Sequence, residues 1–311
     1  MALLRCAVIG VGYLGKFHAQ KYAKIPECQL VAVVDSRQDQ ADAVAALLNC
    51  AALTDYRSLI GQVDAVSIVV PTQGHYDVCA EFLRAGVHVL VEKPMTTTLE
   101  QADELILLAK ENHCVLAVGH LERFNPAALA LEPLLSNPRF IDSSRLAPFK
   151  PRATDVSVLL DLMIHDVDLI LSLVNSELES VECSGARVLT SDIDIANARI
   201  RFANGCVANV TASRVSAKSE RKMRVFQDQA CHSLDFQART LTTYRGAATP
   251  AADSELAIAA CVIDTVDIQG PRCRTWKCLA AVHIAACAQA PTRESCCVIG
   301  APLTTNSAPK T

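Results

Sequence analysis

The run Asp161-Leu-Met-Ile-His165-Asp-Val-Asp168 places an aspartate and a histidine four residues apart in a stretch that is otherwise strongly apolar. On a helix that spacing puts Asp161 and His165 on one face, about a turn apart, with Asp168 a further three along. Histidine titrates near neutrality, so His165 suits a general base that takes a hydroxyl proton, and a nearby carboxylate suits the task of orienting it. A satisfied buried His and Asp pair would write the same pattern, since polar groups in an apolar helix need partners. Lys93 lies in Val91-Glu92-Lys93-Pro94, at the end of an apolar run. Ligands bind at the carboxyl ends of parallel strands, and proline restricts the residue before it, so Lys93 can reach a cofactor there. On position alone, a surface lysine at a strand end is the favoured reading.

A second constellation is Gly10-Val-Gly12-Tyr13-Leu14-Gly15, directly after the first apolar run and at the start of a helical pattern. Gly10 permits a tight turn, Gly12 lets the backbone approach a pyrophosphate, and Gly15 lets helix and strand pack closely, with helix N-terminal amides toward the phosphates. Asp35, 20 residues past Gly15, completes the dinucleotide fingerprint. Its carboxylate would accept bonds from ribose hydroxyls and repel a 2'-phosphate, which favours NAD over NADP, whereas Arg37 could instead pair with such a phosphate. The candidate cofactor contacts are Gly10, Gly12, Tyr13, Leu14, Gly15, Asp35, Arg37, Pro71, Thr72, His75, Glu92 and Lys93.

These residues need a scaffold that brings strand ends together. Residues 4 to 120 alternate short runs rich in Val, Ile and Leu (Leu4–Ile9, Leu30–Val34, Ala65–Val70, Val87–Val91, Val115–Val118) with helical segments (Gly15–Lys24, Arg37–Leu48, His75–Ala85, Leu99–Lys110). Runs that apolar are buried on both faces, which predicts a doubly wound parallel α/β sheet of the Rossmann type. After about residue 122 a helical pattern over 155–174 is followed by strand-like stretches at 180–189, 194–203, 206–214, 222–229 and 238–244, with a hairpin turn at Asn204-Gly205. That predicts an α+β domain with an open, mostly antiparallel sheet. The expected divisions are 1–121 for NAD, 122–260 for substrate and oligomerisation, and 261–311 as an atypical tail.

The glycine turn, the run VVPTQGHYDVCAEFLRAGVHVLVEKP at 69–94 and DLMIHDVD at 161–168, in this order, resemble the Gfo/Idh/MocA family of sugar oxidoreductases, and the resemblance extends through RIRFANGCVANVTASR to about residue 260. It implies an enzyme in which Lys93, Asp161 and His165 are catalytic and a Lys93-Pro94 bond that is often cis. Met163 departs from the family, where glycine is common, and is expected to reshape the pocket floor. The chemistry these residues suit is oxidation of a secondary alcohol without a metal. His165 would act as base, Lys93 would stabilise the alkoxide and Asp161 would orient His165 or Lys93.

For substrate contacts the sequence offers Arg123 and Asn125 in Gly119-His-Leu-Glu-Arg-Phe-Asn-Pro, where Asn125 reads equally as a helix cap before Pro126, and the basic segment Arg214–Lys222, whose Arg214 and Lys218 would grip a diphosphate or simply line a solvated turn. With Lys93, Asp161 and His165 these make up the substrate set. DLMIHDVDLILSL and GHLERFNPA look like the branch called virulence factor MviM, which implies oxidation at the 3-hydroxyl of UDP-N-acetylglucosamine for lipid A biosynthesis. The alternatives are a free polyol such as inositol, or a non-catalytic cofactor-binding regulator.

The 311 residues are 51% hydrophobic, with Lys plus Arg at 29 against 33 Asp plus Glu, so no basic excess tracks a nucleic acid. No apolar run reaches the ~18 residues of a membrane helix, and residues 1–6 lead into a strand, so a soluble cytoplasmic homo-oligomer, a dimer or tetramer through the second sheet, is expected. Eight cysteines fall singly before residue 260 and read as small core thiols, while six crowd into 261–311. A zinc site from Cys273, Cys278, Cys296 and Cys297 fits no common spacing, and the tail reads as out-of-frame or otherwise non-native sequence, a reading that an amphipathic helix in another frame would support.

Overall fold

Short runs of Val, Ile and Leu separated by helix-length segments can bury both faces only in the middle layer of an α/β unit. The computed structural model has that arrangement and describes residues 3–150, 156–246, 261–267 and 298–299. The chain divides between Leu121 and Glu122 into two compact units.

In the first unit β1 (Leu4–Ile9), β2 (Cys28–Val34), β3 (Ala51–Leu53), β4 (Ala65–Ile68), β5 (His88–Val91) and β6 (Leu116–Val118) run parallel in the order β3-β2-β1-β4-β5-β6. Helices α1 (Gly15–Tyr22) and α2 (Gln38–Leu48) cover one face of the sheet, α3 (His75–Arg84) and α4 (Leu99–Glu111) the other. Alternation along β1 feeds both layers. Cys6 and Val8 pack in the cluster of Ala19, Tyr22 and Val44, and Ala7 and Ile9 in the cluster of Phe82, Leu83 and Leu105. Strand order reverses between β1 and β4, so the loops that follow these two strands open a crevice at their carboxyl ends. β3 is three residues long and carried no readable period in the sequence.

The second unit contains α5 (Pro126–Leu131), β7 (Phe140–Leu146), a wide π turn at Leu159–Met163 that continues as α6 (Ile164–Val174), and then β8 (Leu178–Ala186), β9 (Ile195–Phe202), β10 (Val207–Ser213), β11 (Glu220–Gln227), β12 (Ala230–Asp235), β13 (Thr240–Gly246) and β14 (Cys261–Asp267). Its sheet order is β14-β13-β12-β11-β7-β10-β9-β8, antiparallel throughout except for the β7 and β10 pair. The Asn204-Gly205 turn joins β9 to β10 as the sequence predicts, with Gly205 at φ +84 and Asn204 Oδ1 accepting from the Cys206 amide at 3.0 Å. One sheet face is buried under α5 and α6 through Ile141, Ile200, Phe202, Val210, Met223 and Val225.

The sequence reading missed β7, β12 and β14. In β7 every second residue is buried, but two of the inward residues are Ser143 and Arg145, so no apolar alternation marks the strand. β14 falls where the sequence pattern set a tail apart. Pairing along a sheet edge uses backbone groups, and the run Cys261-Val-Ile-Asp-Thr-Val-Asp267 is rich enough in β-branched residues to extend the sheet. β15 (Val298–Ile299) pairs in parallel with β6. Cys273, Cys278, Cys296 and Cys297, with the rest of the tail, lie outside the described residues. Of the eight earlier cysteines, Cys6, Cys28, Cys79, Cys114 and Cys206 are buried, Cys50 and Cys231 are half-buried, and Cys183 on β8 is exposed, a correction to the core-thiol expectation for that residue.

Arg145 is 2% exposed, and Asp166 on α6 meets its guanidinium at 2.6 Å and 3.3 Å and also accepts from Ser143 Oγ at 2.9 Å. Glu122 lies 3.5 Å from Arg145 Nη1. Removing one member of such a pair strands the other charge out of water. We expect Asp166→Ala to cost about 3–5 kcal/mol in urea unfolding, with Asp166→Asn losing less because its amide oxygen still accepts from the arginine.

Candidate active site

The glycine turn is shaped by what surrounds it. Gly10 has φ +84, and a Cβ there would lie 2.7 Å from the Val69 carbonyl oxygen; one on Gly15 would lie 1.8 Å from the Gly10 oxygen. A Cβ on Gly12 meets no protein atom within 4 Å, so the backbone there faces open space. The start of α1 at Leu14 has no side-chain cap; the Lys16 and Phe17 amides donate to the carbonyls of Gly12 and Leu14 at 3.2 and 2.8 Å, which leaves the Gly15 end of the helix facing a phosphate. Tyr13 is 77% exposed beside this turn, edge-on to Phe17, and Leu14 is also exposed. Asp35 follows β2. Its Oδ2 accepts from the Val11 amide and its Oδ1 from the Arg37 amide, both at 3.1 Å, which aims the carboxylate at the glycine turn. Gln40 ties the same turn by donating to the Val11 carbonyl at 2.8 Å. The exposed Arg37 guanidinium donates to Gln40 Oε1 at 2.9 Å. An open glycine backbone, an uncapped helix start and an acid at the second strand end fit a dinucleotide.

Pro71 and Thr72 follow β4 on the same side as Gly10, Pro71 exposed and Thr72 half-buried. His75 does not present an open contact, contrary to expectation. It is 1% exposed, with Nδ1 2.8 Å from the Pro94 carbonyl oxygen and Nε2 2.9 Å from that of Val70, so the ring braces two loops. The Lys93–Pro94 peptide is cis, and Lys93 is half-buried. Glu92 also departs from the cofactor reading. It is 6% exposed and turned inward, with Oε1 3.1 Å from His18 Nε2. The sequence reading passed over His18, whose one signal was a histidine on the inward face of a helix otherwise packed through Ala19 and Tyr22.

In the second unit Asp161 falls within the π turn and His165 in the first turn of α6, and both are half-buried. A π turn in a helix is frequent at functional sites, and no propensity in the sequence announced it. Asp166 and Asp168, by contrast, face inward. Asp168 takes the Arg123 guanidinium in a bidentate pair at 2.7 Å on both arms, so Arg123 is engaged in fastening α6 and is not held out for a ligand as expected. Asn125 caps α5 by accepting from the Ala127 amide at 3.1 Å, the second of its two readings. Met163 is 2% exposed and packs in the core of the second unit, so it does not form a pocket floor.

The basic segment does not form one surface. Arg214 is 5% exposed and donates from Nη2 to the Val156 carbonyl at 2.5 Å, with Nε 3.9 Å from Asp194, because it continues β10 into the interior; Lys218 is exposed on the loop beyond. Arg214 is therefore removed from the diphosphate contacts. Asp194 is fully buried. Burial pushes its carboxyl up, but the Thr190 hydroxyl and the amides of Thr190, Leu189 and Val188 outweigh this and hold it well below the usual carboxylate range.

Known proteins share the architecture of both units. Residues 4–120 match the family model described as oxidoreductase family, NAD-binding Rossmann fold, and residues 137–233 match the GFO/IDH/MocA C-terminal domain. The chain is 47% identical over 251 residues, 80% of each chain, to UDP-N-acetylglucosamine 3-dehydrogenase of Acidithiobacillus ferrooxidans. It is 31% identical over 68% of each chain to a scyllo-inositol 2-dehydrogenase (NAD(+)) of Bacillus subtilis. The solved structure of the Acidithiobacillus enzyme superposes with a TM-score of 0.82 at 42% identity, covering 93% of this chain and 90% of that one. A levoglucosan dehydrogenase in complex with NADH shares the fold, with a TM-score of 0.81 at 19% identity over 92% and 90% of the two chains.

Two measurements test the site. Charge-assisted bonds to the ribose are worth about 1.5–3 kcal/mol, so Asp35→Asn is expected to raise the Kd for NADH by about tenfold to 100-fold and to narrow the preference over NADPH, read by fluorescence titration. Asp194 has a depressed native pKa, so its stabilisation is complete above the unfolded carboxyl value of about 3.9 and is lost as pH falls toward the native one. The stability gap between the wild type and Asp194→Asn in urea unfolding should therefore hold at neutral pH and shrink below about pH 4.

Proposed function

The chain belongs to the Gfo/Idh/MocA family of NAD-binding oxidoreductases, and from that premise we propose that it oxidises the 3-hydroxyl of UDP-N-acetylglucosamine to the 3-keto sugar nucleotide. The observation that carries the substrate is the 47% identity, over 80% of both chains, with a protein named for that reaction. The retention of Lys93, Asp161 and His165 supports a catalytic role over a purely cofactor-binding one.

Bound NAD supplies the acceptor for the hydride that leaves the sugar carbon. The chain's own residues do the rest. The Gly12 backbone and the N-terminal end of α1 at Gly15 would hold the pyrophosphate, and Asp35 would accept from the adenosine ribose while its charge opposed a 2'-phosphate. His165 takes the hydroxyl proton as the C–H bond breaks with its electron pair and the C=O bond forms. Lys93 stabilises the alkoxide that develops on that oxygen, and Asp161 orients the base. Lys218 remains an exposed cation for a diphosphate.

No helix among the described residues is long and apolar enough to cross a membrane, and a cytoplasmic dimer or tetramer joined through the second sheet belongs to the same reading. Edge strand β8 supports it, since all of its residues are exposed, Leu178 and Val181 among them.

NAD mixed with UDP-N-acetylglucosamine is expected to give a rise in NADH absorbance. A flat trace with turnover of scyllo-inositol would favour the polyol reading, which rests on the 31% identity to the inositol enzyme. His165→Ala should lose about 10²–10⁴-fold in kcat, as removal of a general base does, while NADH binding persists. Equal loss of both would remove the assignment.

A further inference from the structure

We infer that the buried His18 and Glu92 pair is a positioning device for Lys93, fastening the turn that carries it to the helix that begins at the glycine turn; this rests on the reading of Lys93 given above. Glu92 and Lys93 are consecutive in the turn just past β5, which ends at Val91, and the Glu92 carboxylate itself takes the Lys93 amide, so the two residues are tied within one short turn. Holding Glu92 inward therefore sets the direction in which Lys93 leaves the backbone. The hold is made by four polar groups where the interior of a sheet would ordinarily be apolar. Glu92 Oε2 accepts from the Lys93 amide at 3.2 Å, and Oε1 lies 3.1 Å from His18 Nε2. His18 Nδ1 lies 3.1 Å from Ser67 Oγ on β4, and the Tyr22 hydroxyl lies 2.7 Å from the same oxygen. His18, Glu92, Ser67 and Tyr22 are 3%, 6%, 0% and 1% exposed.

Well-packed apolar side chains of similar volume are often as stable as a buried polar network or more so, so stability alone does not account for this one. Its geometry does. His18 and Tyr22 lie on α1, Ser67 on β4 and Glu92 at the end of β5, so one carboxylate links the phosphate-binding helix, the central strand and the backbone amide of Lys93. The end of β6 is fitted to it as well. A Cβ on Gly119 would lie 3.0 Å from Glu92 Oε1, so glycine there leaves the space that the carboxylate occupies. No residue of the network has to touch substrate, and each acts through Lys93.

The test uses the full chain with Glu92→Gln, Ser67→Ala and Gly119→Ala, and with Lys93→Ala as reference. Misplacing a reacting group by about an ångström costs up to about 10²-fold. Glu92→Gln and Gly119→Ala should therefore lower kcat by about tenfold and Ser67→Ala by about threefold, with the Kd for NADH held within about twofold. A substrate-free reading accompanies these assays: the rate of amine acetylation at Lys93, followed by peptide mass spectrometry, should change by about threefold or more, while the rate at exposed Lys24 does not. Lower Tm with unchanged kcat and unchanged Lys93 labelling would overturn the inference and leave the network a purely structural one. If Glu92→Gln does not fold, Ser67→Ala, which leaves the carboxylate in place, decides by the same criteria. Full turnover in Lys93→Ala would instead refute the reading of Lys93, and a wild type inert toward UDP-N-acetylglucosamine would refute the substrate; labelling at Lys93 then still decides whether the pair positions it.

Discussion

A carboxylate taken out of water must be met by hydrogen-bond donors or a cation, and four of them organise this chain. Glu92 is met by His18 and the Lys93 amide, Asp166 by Arg145 and Ser143, Asp168 by Arg123, and Asp194 by Thr190, three backbone amides and Arg214. In the first unit the tie runs from α1 to the end of β5. In the second unit, α6 is fastened to β7 by Asp166 and to Arg123 by Asp168.

The candidate catalytic groups are sequence neighbours of these anchors. Lys93 follows Glu92, and His165 precedes Asp166. Asp161 sits in the π turn, whose entry at Val156 receives a hydrogen bond from Arg214. A partly exposed acid or base gains from a rigid backbone next to it, because any looseness enters the reacting distance directly. This arrangement also accounts for three cations and acids that look functional in the sequence but are engaged elsewhere. Arg123, Arg214 and Glu92 carry the charge and position expected of ligand contacts, and the interior has already paired them.

Legibility in the sequence followed the source of each signal. The parallel sheet was readable because its strands are buried on both faces and are written almost wholly in Val, Ile, Leu and Ala. The glycine turn was readable because its constraints are local. Gly10 adopts a backbone angle other residues avoid, and Gly15 lies against its own turn. Strand β7 was hidden because its inward residues include Ser143 and Arg145, polar groups that are at home in a core only when Asp166 supplies their partner. The same reason hid His18. A histidine on a helix is uninformative until the far strand brings Glu92 and Ser67 to its two ring nitrogens, 74 and 49 residues away in sequence.

The amino-acid sequence by itself determined the layer order and the dinucleotide turn with its acid at Asp35, which rest on local spacing and hydrophobic period, while Lys93, Asp161 and His165 became candidates through the resemblance of their motifs to the Gfo/Idh/MocA family. Only the tertiary structure decided which charges are committed to one another. Pairing is a property of distance in space. Arg145 and Asp166 are 21 residues apart and Arg123 and Asp168 are 45 apart, yet each pair closes to 2.6–2.7 Å once the sheet and α6 are packed.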